Sequence, residues 1–398
     1  KAWEDPRRIA PSSRLEVQGV KKYLKNFNLK RGETMKNLRN AIRRKVSRRS
    51  FVTGAAGLVA ASTLFSKVSN AADELNVLVW CDHADKKLLE PFENKNNVKI
   101  NVKTYEGTGA ALSIIEQSSP GDWDVLVIDS PDIPMVAEKG LLAPMDESAF
   151  PLNDLLTPLT SAPFNHVNGI RYAVPEKFGY YGVAYNKEKV NAEDMRSAQV
   201  MWNSKYKGRV AVYDYYFPTM QLIAISMGIK PDNISMDDLP KIREKLLEMK
   251  SNVKMVGDIV SVQNALVNGD VDMIISGAEF VVSGLMPTMP QLDWTIFDEG
   301  GLMWVQGLSV FKDSKKKKLA FDFVNHVLSP EGQGALATSE CYWAMPTNKK
   351  AKLSKAEKEI LRWNEQSAFL RRSVPSTIGK ADIDAEMLDI WTEFLQKK

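Results

Sequence analysis

Cysteine and histidine are scarce in this chain, which has two cysteines and three histidines among 398 residues. None of them has the close spacing of zinc ligands. The chain also lacks a G-x-S-x-G nucleophile elbow, an H-E-x-x-H motif and a Gly-rich phosphate loop. We therefore expect no catalytic residue, no metal site and no cofactor.

Long apolar runs are scarce as well, and the most informative one is short. Residues 51–65 carry no charge, yet a membrane-spanning helix needs about 20 apolar residues. Arg48 and Arg49 stand directly before this run, and residues 69–71 after it have the small side chains that a signal peptidase accepts. The combination predicts a twin-arginine (Tat) signal peptide over residues 35–71, which the Tat translocase reads during export. The alternative is a buried or membrane-spanning helix that follows a basic turn.

The chain starts at Lys1, upstream of the basic leader that begins at Met35. We expect residues 1–34 to be an unstructured extension, or an artefact of an over-long reading frame. Since no cysteine directly follows the apolar run, we expect a periplasmic protein without a lipid anchor.

Positive charge is concentrated at the start of the chain. Residues 1–71 hold 17 Lys and Arg against 4 Asp and Glu, so the remaining 327 residues keep 36 basic and 45 acidic side chains. The predicted mature protein is therefore acidic, with a net charge of about −9, although the whole chain carries +4. An acidic protein argues against nucleic acid as a partner and mildly favours a cationic ligand.

Short apolar strands alternate with amphipathic helices after the predicted signal peptide. The predicted elements are strand 76–80, helix 85–95, strand 98–102, helix 109–117, strand 123–128 and helix 132–140. This order is typical of an α/β domain with a largely parallel sheet. Two later segments, 172–186 and 299–311, are apolar but interrupted by Pro or Gly, and we interpret them as crossovers between two lobes.

Five short motifs occur in the same order as in a known family of binding proteins. They are Val77-Leu78-Val79-Trp80 with the helix after it, Thr104-Tyr105-Glu106, Asp122-Trp123-Asp124-Val125-Leu126-Val127, Trp202 with Tyr206-Lys207-Gly208, and Glu299-Gly300-Gly301 through Trp304. Together they resemble the spermidine/putrescine-type periplasmic solute-binding proteins of ABC importers, and the resemblance covers nearly all of residues 75–350.

The resemblance implies a bilobal α/β fold joined by hinge crossovers, with lobe one over 73–180 plus 305–352 and lobe two over 181–304 plus 353–398. It also implies a monomer that captures a small, amine-containing, polyamine-like solute by hinge closure and delivers it to an ABC permease in the inner membrane. A Tat-exported enzyme and a sensor that presents its ligand to a receptor are the alternative functions.

Members of this family surround a polyamine with aromatic rings along its methylene chain and with carboxylates at its ammonium groups. The resemblance places ligand contacts at Trp80, His83, Asp129, Asp214, Tyr215, Ile275, Glu279, Trp304, Gln306 and Trp343. The aromatic positions persist, whereas most of the family's acids are replaced. A smaller or singly charged amine, or a neutral polar solute, is therefore as compatible with the sequence as spermidine.

Several of these positions have a second interpretation. Trp80 and Trp304 are alternatively core residues, and we expect at least one of the alternating Tyr213, Tyr215 and Tyr216 to be core. His83 is alternatively an ordinary surface histidine. Asp129 is alternatively the N-cap of a helix that starts at Pro131. Replacement carboxylates for the lost family acids are available at Asp129, Asp214 and Glu279.

The two cysteines lie beside the positions that the resemblance assigns to the ligand. Cys81 follows Trp80, and Cys341 precedes Tyr342 and Trp343. An exported protein can hold a disulfide, so we hypothesise that a Cys81–Cys341 bond pins two binding loops. Two buried thiols are the alternative.

Overall fold

A computed structural model describes residues 73–397. The predicted signal peptide with Arg48 and Arg49, and the extension over residues 1–34, lie outside the described residues. Within 73–397, none of the helices combines the length and the apolar character that crossing a membrane requires.

The strands of this part of the chain form one mixed sheet of eleven strands and a separate hairpin. They are β1 (Asp73–Val79), β2 (Val98–Thr104), β3 (Val125–Asp129), β4 (His166–Val167), β5 (Ile170–Arg171), β6 (Val174–Asn186), β7 (Val210–Tyr213), β8 (Val253–Gly257), β9 (Met273–Gly277), β10 (Leu292–Thr295), β11 (Gly301–Val310), β12 (Met345–Pro346) and β13 (Ser373–Pro375). The main path of the large sheet is β2-β1-β3-β11-β6-β9-β7-β8, while β10 and β12 pair with β6 and β13 pairs with β11. The hairpin is β4-β5.

Thirteen α-helices lie within residues 73–397. They are α1 (Lys86–Asn96), α2 (Thr108–Glu116), α3 (Ile133–Glu138), α4 (Thr157–Thr160), α5 (Tyr216–Ser226), α6 (Leu239–Met249), α7 (Ile259–Val267), α8 (Glu279–Val282), α9 (Lys317–Leu328), α10 (Pro330–Ala337), α11 (Lys355–Ile360), α12 (Gln366–Arg371) and α13 (Ala381–Gln396). The predicted order of strands and helices up to residue 140 is confirmed, with boundaries that differ by one to three residues.

The three strands predicted before residue 140, β1 to β3, pair in parallel, as expected for that region, whereas the complete sheet is mixed. The pairs β1-β2, β1-β3, β7-β8 and β7-β9 are parallel. However, β6 and β11 run antiparallel to each other, and they also run antiparallel to β9 and β3, respectively. Apart from Gly300, the Pro and Gly residues that suggested interrupted crossovers lie inside these two long strands, which are buried along almost their whole length.

Separate apolar cores stabilise the two ends of the sheet. Leu88 of α1 and Phe323 of α9 pack with β1 and β3 in one core. Ile223 of α5 and Phe394 of α13 pack with β7 and β9 in another. The buried side chains of α13 recur every three or four residues, which gives this helix one apolar face. Each large apolar side chain contributes roughly 1.5–3 kcal/mol when it is fully buried.

Candidate functional site

A pocket of about 270 Å³ lies where the carboxyl end of β3 meets β6 and β11. In α/β sheets this edge is where ligands commonly bind, because the loops that follow the strands converge there. The pocket also receives side chains from the start of α5 and from α13. Elements from both ends of the sheet therefore contribute to its walls.

Three carboxylates line the pocket, whereas lysine, arginine and histidine are absent from its lining. Asp129 ends β3 and Asp132 lies in the short 3-10 turn that follows. Asp384 comes from α13 and accepts a hydrogen bond of 2.6 Å from the Tyr216 hydroxyl. The pocket is thus electronegative and suits a positively charged group.

Burial perturbs the two neighbouring carboxylates. Burial and the charge of Asp132 raise the pKa of Asp129 to about 7, while the Thr108 hydroxyl acts in the opposite direction. Burial likewise raises the pKa of Asp132 to about 6, again opposed by Thr108. Among residues 73–397 no cation lowers the pKa of either carboxylate, so a cationic ligand would stabilise their ionised forms.

Six aromatic rings also line the pocket. They are Phe164, Tyr181, Tyr215, Tyr216, Phe217 and Trp304. Trp304 is packed from outside this group, because its ring meets Phe280 and Tyr342 edge-on with centroid distances of 6.2 Å. Aromatic faces attract cations and cover alkyl chains. The combination of carboxylates and rings can therefore hold an alkylamine.

The backbone at Gly179 lies against the Trp304 ring. A Cβ atom at this position would collide with Trp304 and with the Glu279 carboxylate. The Glu279 carboxylate accepts hydrogen bonds of 3.0 and 3.2 Å from the backbone N–H of Tyr180. Burial raises the pKa of Glu279 well above its ordinary value. Glycine is therefore required at position 179 for Trp304 to lie close to β6.

A fully buried ionic network joins the turn after β1 to the start of β6. Lys177 donates a hydrogen bond of 2.8 Å to Asp82. The ring nitrogens of His83 lie 2.9 Å from Asp82 and 3.0 Å from Glu176. All four side chains have no exposed surface. Burial opposes ionisation of His83, but the charges of Glu176 and Asp82 outweigh it and raise the pKa of His83 to about 10.

The structure pairs Cys81 with Cys341 in a disulfide, with Cα atoms 6.0 Å apart. Both cysteines are exposed. Cys81 begins the 3-10 turn that carries Asp82 and His83. The bond therefore joins the buried network to the loop that holds Tyr342.

Of the ten ligand contacts that the resemblance implies, the structure brings Asp129, Tyr215 and Trp304 to the pocket. Asp129 precedes a 3-10 turn but makes no side-chain capping bond, so its alternative role as an N-cap is not observed. The other seven positions lie elsewhere.

Three of these seven belong to the core or to buried networks. Ile275 is fully buried on β9 and packs beside Val212 of the apolar core. His83 lies in the ionic network, so it is neither a pocket residue nor a surface histidine. Glu279 binds the backbone of β6 instead of reaching the pocket.

The remaining four positions contact residues outside the pocket lining. Trp80 packs on Tyr105 with ring centroids 4.9 Å apart. Gln306 is buried and donates a hydrogen bond of 3.0 Å to the Tyr342 hydroxyl. Asp214 and Trp343 contact residues that play no part in the pocket. The Asp214 carboxylate accepts a bond of 3.0 Å from the Trp391 indole, and Trp343 packs against Gly284.

Sequence reasoning missed two of the three pocket carboxylates. Asp132 lies only three residues after Asp129 and follows the same strand, so the sequence could have predicted that both carboxylates reach the same site. Asp384 lies more than 250 residues farther along the chain, on α13, and no motif connects it to Asp129. Within residues 73–397 no three His, Cys, Asp or Glu side chains are grouped as metal ligands.

Comparisons with known proteins agree on a family of binding proteins. The family model of bacterial extracellular solute-binding proteins matches residues 87–362. The chain is 24% identical over 281 residues to the spermidine/putrescine-binding periplasmic protein of Escherichia coli K12, which covers 69% of this chain and 79% of that protein. It is 22% identical over 306 residues to the putrescine/agmatine-binding protein of Pseudomonas aeruginosa, covering 73% and 82%.

Solved structures show the same fold. A spermidine/putrescine ABC transporter substrate-binding protein of Streptococcus pneumoniae superposes with a TM-score of 0.71 at 19% identity, covering 81% of this chain and 98% of that one. A binding protein of Agrobacterium tumefaciens in complex with agropinic acid superposes with a TM-score of 0.61 at 19% identity, covering 82% and 99%. The predicted bilobal periplasmic-binding-protein fold is confirmed.

Proposed function

Because the chain belongs to the bacterial extracellular solute-binding protein family, we propose that it captures a small alkylamine in the periplasm and delivers it to the permease of an ABC transporter. The observation that carries the choice of ligand is the electronegative, aromatic pocket. Three carboxylates and six aromatic rings line it, without a basic side chain among them. An anionic solute would meet unfavourable charge there.

The arrangement of the carboxylates favours a ligand with two ammonium groups. Asp129 and Asp132 come from the β3 side of the pocket, and Asp384 comes from α13. Aromatic side chains also line the pocket and can cover the methylene chain between the two ammonium groups. A short diamine such as putrescine matches this pattern, and putrescine also occurs in the names of several relatives.

Hinge closure would couple binding to a change of shape. We propose the lobes implied by the sequence, 73–180 plus 305–352 and 181–304 plus 353–398. The separate cores at the two ends of the sheet support this division, and β6 and β11 run between them. A ligand that contacts both lobes favours the closed state. Small-angle X-ray scattering with and without putrescine would measure closure, and an unchanged radius of gyration would contradict it.

A thermal-shift panel tests the proposed ligand class. Putrescine, spermidine, amino acids, neutral polyols and organic anions should be compared. At 100 times its dissociation constant a ligand stabilises the native state by about 2.7 kcal/mol, which raises the melting temperature by several degrees. We expect amines to give this shift, and a shift with an anion alone would contradict the proposal.

Trp304→Ala should abolish the amine shift while the protein remains folded. Trp123→Ala is the matched control, since Trp123 bonds to Ser118 and is not among the lining residues of the pocket. If both variants respond to amines as the unchanged protein does, the pocket is not the binding site.

Export through the Tat route is the second part of the proposal, and it rests on Arg48 and Arg49 before the uncharged run. Replacing both arginines by lysine keeps the charge but removes the motif. We expect the variant to remain in the cytoplasmic fraction of cells. Its normal appearance in the periplasm would contradict Tat export.

A further inference from the structure

Tyr342 connects the disulfide to the pocket. It directly follows Cys341 in the chain, and its ring meets the ring of Trp304 edge-on, at 6.2 Å between centroids. Its hydroxyl accepts a hydrogen bond of 3.0 Å from Gln306. Gln306 pairs with Asp129 across the β3-β11 ladder. Tyr342 therefore contacts the aromatic pocket residue Trp304 directly, and it supports the acidic pocket residue Asp129 through Gln306.

The other side of Tyr342 is fixed by the buried network. The ammonium group of Lys177 lies 4.0 Å from the centre of the Tyr342 ring. It also lies 3.3 Å from the Tyr342 carbonyl oxygen. Lys177 is itself held by Asp82, the residue after Cys81. The two residues that follow the bonded cysteines, Asp82 and Tyr342, are therefore also connected to each other through Lys177.

We propose that Tyr342 is a positioning residue for the bound amine, and that reduction of the exposed Cys81–Cys341 bond weakens amine binding by loosening Tyr342. The inference rests on the proposed function, because it concerns the same pocket. It extends that function by making affinity depend on the redox state of the protein.

The redox step needs a dithiol as its reductant. One thiolate of the dithiol attacks a sulfur of the Cys81–Cys341 bond and forms a mixed disulfide, which releases the other cysteine as a thiolate. The second thiol of the reagent then displaces the first cysteine. Two electrons pass to the protein, the reagent becomes a disulfide, and the two cysteine thiolates take up the two protons. Both cysteines are exposed, so a dithiol can reach them.

Calorimetric titration with putrescine measures the effect. We expect reduction with dithiothreitol to raise the dissociation constant for putrescine about three- to tenfold. This change corresponds to the free energy of one aromatic contact. Tyr342→Leu in the oxidised protein should give a similar increase, and reduction of that variant should add little, because both changes act through one contact. An unchanged dissociation constant on reduction, or fully additive effects, would overturn the proposal.

The Cys81→Ser/Cys341→Ser variant should reproduce the effect without reductant. Glu340→Ala is the matched control, because it changes an exposed side chain in the same loop, and it should bind putrescine as the unchanged protein does. Equal weakening by Glu340→Ala would show that any disturbance of the loop suffices, and would remove Tyr342 from its role.

Hydrogen exchange without any ligand separates this inference from the proposed function. Reduction should speed amide exchange in residues 301–308 of β11, which carry Trp304 and Gln306, while circular dichroism confirms that the protein stays folded. Faster exchange confined to the loops at the two cysteines would overturn the inference. If putrescine fails to bind the oxidised protein, the proposed function fails, and the exchange result alone decides the role of Tyr342.

Discussion

Replacing Lys177 by methionine is expected to lower the free energy of unfolding by about 3–5 kcal/mol. Lys177 and Asp82 are both fully buried, with 2.8 Å between the ammonium nitrogen and a carboxylate oxygen. Methionine keeps most of the volume but removes the positive charge. Asp82 would then be a buried carboxylate with only His83 as a cationic neighbour. Urea unfolding followed by circular dichroism measures the loss.

The same network explains why one charge matters so much. Burial alone would raise the pKa of Asp82, yet the charges of Lys177 and His83 hold it well below its ordinary value. The ionised form of Asp82 is therefore stabilised by its two neighbours, and removing Lys177 takes away the first of them. Glu176 is less well compensated, because burial raises its pKa despite the charge of His83.

An exposed ion pair provides the matched control. Lys318 donates to Asp322 at 2.7 Å, and the Lys318 side chain is 90% exposed. Lys318→Met should cost no more than about 0.5 kcal/mol, since exposed helical pairs contribute little. The double variant Asp82→Asn/Lys177→Met should recover part of the loss by removing both charges. A loss below about 1 kcal/mol for Lys177→Met alone would contradict a network that depends on the charge.

The spacing of apolar residues predicted those helices and strands whose formation depends on their own residues. Helix α1 covers Lys86–Asn96, close to the predicted range 85–95, because its apolar residues Leu88, Leu89 and Phe92 recur at helical spacing. The mixed direction of the sheet could not be derived in this way. Strands β6 and β11 are mostly apolar and almost completely buried, and such a run is compatible with either direction.

The sequence identified a pocket residue only where that residue belongs to a recognisable motif or follows a predicted strand. Trp304 could be placed because it ends a motif that begins at Glu299, and Asp129 because it directly follows the predicted strand 123–128. Asp384 could not be found, since only tertiary packing of α13 brings it to the pocket. The role of Lys177 was also hidden, because a lysine within an apolar strand gives no sign of its partner, Asp82, 95 residues earlier.

Putrescine affinity is expected to increase about tenfold to a hundredfold between pH 5 and pH 8. The reason is that the pKa of Asp129 is raised to about 7 and that of Asp132 to about 6. At pH 5 both carboxylates are mainly protonated, so an ammonium group must expel protons to bind. At pH 8 both are mainly ionised. Alkylammonium groups stay charged over the whole range, so the change belongs to the protein.

Proton release gives a second measurement of the same effect. Near pH 6, calorimetry in buffers of different ionisation enthalpy should detect about one proton released per putrescine bound. A carboxylate whose pKa is higher in the folded than in the unfolded protein stabilises the fold while it is protonated. For Asp129 in the ligand-free protein, this stabilisation is complete below the unfolded pKa of 3.8 and is lost as the pH rises through about 7. The empty protein should therefore lose this contribution over the same range in which affinity increases.

Two single amide substitutions show which carboxylate is responsible. Asp129→Asn should weaken putrescine binding at pH 8 and flatten the pH dependence, because the group with the higher pKa is gone. It should also reduce the loss of stability of the ligand-free protein between pH 4 and pH 7 to the part that Asp132 contributes. Asp384→Asn should weaken binding but leave the steepness of the pH dependence unchanged, since Asp384 comes from α13 and bonds to Tyr216. A pH-independent affinity in the unchanged protein, with Asp129→Asn still weakened, would mean that Asp129 is already ionised at pH 5. The amine would then bind a preformed carboxylate pair without displacing a proton.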